Sequence, residues 1–217
     1  MRLEHTAAGA ASGCTAFLYL ADGGAIRFAV VSDPLASGRR EAAGAVLAQA
    51  AGESEREDGE GLSWPERLAG QIDRRLREKR EGDPAWLVFA AGQLTSGDVP
   101  VCHVCTAGDL RICLLSGRDI VHATRDHVAR NESPEWLARA YPGVDLVDHA
   151  TMLTRSLGTG EFAPESSTWP IPGVPSLLVC SSEIHGYRSP IGGFDARAGG
   201  TPAGEGVLLR IDLSTAP

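Results

Sequence analysis

Phe28-Ala29-Val30-Val31-Ser32-Asp33-Pro34 is an apolar run that stops on an acid and a proline, and the order of the chain can be worked outward from it. Aromatic and β-branched residues make the run a strand, and Pro34 cannot continue a ladder. Upstream, Ala16 to Leu20 and Ala25 to Val31 flank Asp22-Gly23-Gly24, so the two runs predict a hairpin. Downstream, Arg39 to Ala51 is rich in alanine with Val46 and Leu47, which predicts a helix packed closely on a sheet. The stretch 52–61, with Glu53, Glu55, Glu57, Asp58 and Glu60, reads as an acidic loop with nothing to bury. It is either a docking loop or a solvated linker.

Ser63-Trp64-Pro65-Glu66 has the spacing of a capping box with a proline in the first turn. Leu68, Ile72 and Leu76 follow at four-residue steps and predict an amphipathic helix to about Lys79. Strands are expected at Trp86 to Ala91, Val99 to Ala107 and Leu110 to Ser116. Ser133-Pro134-Glu135 opens another short helix, and strand signals return at Ser176 to Ser181 and Val207 to Leu213. The stretch 186–206 between them is rich in glycine and proline and reads as loop. Strands closely linked in blocks fit antiparallel sheets, so the class is α+β.

With 217 residues, 43% of them hydrophobic, the chain is long enough for one substantial core, and a single domain over 1–217 is expected. The formal net charge is −8 and basic residues form no block, which argues against nucleic acid or an anionic membrane as partner. Met1 to Ala10 contains no apolar core of signal-peptide length, and no apolar run approaches a membrane span. A cytoplasmic location is expected. Five cysteines, an odd number, fit reduced and mostly buried thiols better than a disulfide framework.

Common catalytic signatures are missing: there is no phosphate-cradling loop ending in Lys-Ser or Lys-Thr, no nucleophile elbow and no His-Glu-x-x-His. Gly158-Thr159-Gly160 lacks the third glycine of a dinucleotide fingerprint. Cys102-His103-Val104-Cys105 has zinc-knuckle or redox spacing, but residues three apart in a strand point to opposite faces. Buried thiols are the plainer reading. His103 and His185 have no acid or second histidine at ligand spacing and read as packed or solvent-exposed.

Five segments recur in an order that is itself informative. They are Phe28 to Gly38; Thr106-Ala107-Gly108-Asp109-Leu110-Arg111; Ala123-Thr124-Arg125-Asp126-His127; Leu153-Thr154-Arg155-Ser156-Leu157-Gly158; and Leu177 to Gly186. In this order they resemble the metal-dependent type 2C protein phosphatase family, with its Asp-Gly-x-Gly-Gly turn, Ala-Gly-Asp-Ser-Arg connection, Thr-x-Asp-His element, Thr-Arg-x-Leu-Gly segment and Ser-Asp-Gly-Leu strand end. The likeness covers Ala16 to Leu213. It implies a β-sandwich of two antiparallel sheets flanked by helices on both outer faces.

The resemblance also implies phosphoserine and phosphothreonine hydrolysis by two manganese or magnesium ions that activate a bridging water. Asp33 matches the bridging aspartate. Pro34 replaces the adjacent glycine, Ser182 replaces the second metal aspartate and Glu183 its neighbouring glycine, while Glu205 falls near the family's final Asp-Asn. The stretch matching the phosphate arginine and the Asn-Glu-Asp ligands is about Ala11 to Cys14, with neither charge. The expectation is a pseudophosphatase holding manganese or magnesium weakly or not at all, with Asp33 and Glu205 as the remaining ligands. It would bind a protein partner, a kinase, phosphoprotein or homologous phosphatase; the alternative is an active phosphatase with a rearranged site.

Overall fold

The computed structural model describes residues 15–22, 25–33, 40–56, 61–78, 86–95, 99–117, 119–143, 149–159, 164–171, 175–182 and 208–212. The expected hairpin is formed by β1 (Thr15–Asp22) and β2 (Ala25–Ser32), paired from Thr15↔Ser32 to Asp22↔Ala25. Then come α1 (Arg40–Ser54), α2 (Trp64–Arg77), β3 (Val88–Thr95), β4 (Val101–Ala107), β5 (Arg111–Ser116) and β6 (Asp119–Ala123). The rest are α3 (Pro134–Ala140), β7 (Glu165–Pro170), β8 (Pro175–Cys180) and β9 (Leu208–Asp212). They make a five-stranded sheet, β1-β2-β3-β4-β7, and a four-stranded sheet, β6-β5-β8-β9, in which every strand pair is antiparallel.

The continuous apolar runs of β2 and β3 have a simple cause, since both faces of these strands are buried. Phe28, Val30, Val88 and Ala90 face inward and meet Ile112, Leu114, Leu177 and Val179 between the sheets. Their alternates Ala29, Val31, Phe89 and Ala91 face outward and carry α1 and α2. Small residues let α1 lie close to the sheet: Ala43 and Ala50 are fully buried beside Leu47. The start of α2 is fixed locally, because Glu66 Oε2 accepts the Ser63 backbone N–H at 2.8 Å and its hydroxyl at 2.6 Å. Leu68, Ile72 and Leu76 are then buried on one stripe.

The two-sheet α+β sandwich agrees with the expectation. Among the described residues, the helices packed on it are α1 and α2, both on the outer face of the five-stranded sheet. Three local readings change. The acidic stretch 52–61 is not loop throughout: α1 runs to Ser54, whose hydroxyl is buried on Ala51 O. Glu53 pairs with Arg75 and Glu55 with Arg27, so these acids tie α1 to α2 and to the sheet. β3 runs on from Ala91 to Thr95, because Gly92 leaves room for the Phe28 ring; a Cβ there would lie 2.4 Å from Phe28 Cζ. β6 and β7, two edge strands, carried no strand signal, since β7 is Glu-Ser-Ser-Thr-Trp-Pro with Trp169 alone buried. The expected loop at 186–206 lies outside the described residues.

Gly108 joins the two sheets. It adopts φ +94°, and an added Cβ would lie 2.4 Å from Val88 Cγ1. Gly108→Ala should therefore destabilise the protein by about 2–4 kcal/mol, the sum of a left-handed backbone penalty and a core clash. Gly117→Ala also has positive φ but open space around it, and should cost about 1–2 kcal/mol. Urea midpoints of the two variants check the difference.

Candidate functional site

Register carries several strand ends to one end of the sandwich. Ser32 pairs with Val88, and Phe89 with Ala107, so β2 ends where β3 starts and β4 ends. The chain then crosses through Gly108-Asp109-Leu110 to Arg111, which pairs with Cys180; Cys180 also pairs with Leu208. The start of β5, the end of β8 and the start of β9 therefore share that end.

Asp33, the first residue after β2, is buried there at 6% exposure. Ser181 is buried and Ser182 half-buried after β8. The fold thus brings Asp33 and Ser182 to the same end. Pro34, Glu183 and Glu205 lie outside the described residues, as does Cys14. One further acid belongs to this end: Asp109, which lies in the second of the resembling segments and is not among the expected ligands, is 9% exposed in the crossover. Its sequence signal was the Gly-Asp step itself, in which Gly108 takes the left-handed conformation. Among the described residues no group of three or more His, Cys, Asp or Glu is arranged to hold a metal ion. Among the described residues, this end brings together Asp33, Asp109 and the serine hydroxyls of Ser181 and Ser182.

Behind the crossover lies a polar frame. Gly108 N–H donates to His127 Nδ1 at 3.1 Å, and His127 N–H donates to Gly108 O at 2.8 Å. Nδ1 is therefore the acceptor, and Nε2–H points to Glu165 Oε2 at 3.2 Å. Burial lowers the His127 pKa below its ordinary 6.5, opposed in part by the Glu165 hydrogen bond. Asp126 accepts a fork from Arg111, at 3.1 Å from Nε and 2.5 Å from the second nitrogen, with both side chains buried. Glu132, almost fully buried, takes Arg155 at 3.2 Å and the Thr154 hydroxyl at 3.1 Å, with Arg125 at 3.5 Å. Gly158 N–H reaches Asp73 on α2 at 2.8 Å. Asp126-His127 and Thr154-Arg155 thus brace the crossover, and the neutral, paired His127 is a structural group.

Cys102 and Cys105 sit on opposite faces of β4, one in the sandwich core and the other under the helices. Burial pushes the Cys102 thiol up to about 12 and raises Cys105 further. Two inert thiols facing apart make neither a zinc site nor a redox pair.

No family model matches the sequence, and no curated protein matches it. Solved structures do. A Stage II sporulation E family protein from Thermanaerovibrio acidaminovorans superposes with TM-score 0.62 at 17% identity, over 91% of this chain and 100% of that one. The S. agalactiae serine/threonine phosphatase superposes with TM-score 0.59 at 16% identity, over 81% of this chain and 76% of that one. A C. elegans sex-determining protein gives TM-score 0.59 at 15% identity, over 86% and 51%. The chain has the PP2C-like phosphatase fold, and at these identities the likeness is one of fold. No described helix is long and apolar enough to cross a membrane.

Two outcomes follow from the frame. Asp126→Ala leaves Arg111 buried without its partner and should cost about 3–5 kcal/mol by urea denaturation. His127 is held neutral, so the unfolded chain takes up a proton that the fold refuses. Its contribution is complete above about pH 6.5 and declines as pH falls below that value. Urea midpoints at pH 7.5 and 5.5 should differ for the wild type, and His127→Asn should narrow the difference.

Proposed function

We propose that the chain is a PP2C-like phosphatase-fold protein with an impaired metal centre, which serves as a binding or regulatory module for a protein partner. A kinase, a phosphoprotein or a homologous phosphatase is the partner class. The observation that carries the impairment is the charge count at the strand ends. Two divalent ions bring four positive charges that need several carboxylates to hold them and offset their repulsion. Here Ser182 is neutral where the family has its second metal aspartate, and the described acids are Asp33 and Asp109.

A second reading is an active manganese- or magnesium-dependent serine/threonine phosphatase built on Asp33 with Glu183 and Glu205. Asp109 favours it, since it is a second buried acid at the same end. The two readings separate in one assay. With manganese added, the purified protein should release no more p-nitrophenol from p-nitrophenyl phosphate than a heat-inactivated control. Turnover that depends on manganese and disappears in Asp33→Ala would establish the second reading instead.

A further inference from the structure

We draw no further inference here: the strongest candidate, the recess of about 460 Å³ between the start of α2 and the strands β3, β4 and β7, is lined by both signs of charge, Glu66 and Arg67, and nothing in the structure shows what would occupy it.

Discussion

The crossover at Gly108-Asp109-Leu110 is the constraint on which the sandwich depends. Within three residues the chain leaves β4 in one sheet and enters β5 in the other, and φ +94° at Gly108 makes that turn possible. The two hydrogen bonds between Gly108 and His127 fix the crossover from one side, and Arg111–Asp126 fixes it from the other. Both locks are buried, so water does not compete for them, and each leaves a costly orphan if its partner is removed. Phe28, Val88, Ile112 and Val179 can then meet in one core, because the two sheets are held in register at this end.

Much of this frame was legible in the sequence, for a physical reason. Gly108-Asp109, Asp126-His127 and Thr154-Arg155 are short polar steps embedded in apolar runs, and such steps stand out without knowledge of what they contact. The hairpin and the start of α2 were legible because turns and caps are decided by neighbouring residues. β7 was not, because an edge strand of exposed serine and threonine needs no apolar alternation, nor was β6, an edge strand of five residues with none fully buried. Glu53 and Glu55 were misread because their partners Arg75 and Arg27 are distant in sequence and become neighbours through packing alone.

The candidate site divides in the same way. Asp33 and Ser182 were assigned through the family resemblance, each lying just after an apolar strand. Asp109 was not among the expected ligands, because its arrival beside the ends of β2 and β8 depends on register across two sheets. The frame is complete at this end while the described acid complement is small. A fold can keep its packing when its metal chemistry is lost, because these locks are made of protein groups alone.

Metal binding tests the proposed impairment most directly. Manganese titrated into the purified full chain and followed by calorimetry, with Asp33→Ala and Asp109→Ala alongside, reads the charge count without reference to any substrate. The account predicts no saturable uptake of a manganese pair and titrations of the two variants that match wild type. Tight uptake of two ions per chain, lost in Asp33→Ala, would contradict it.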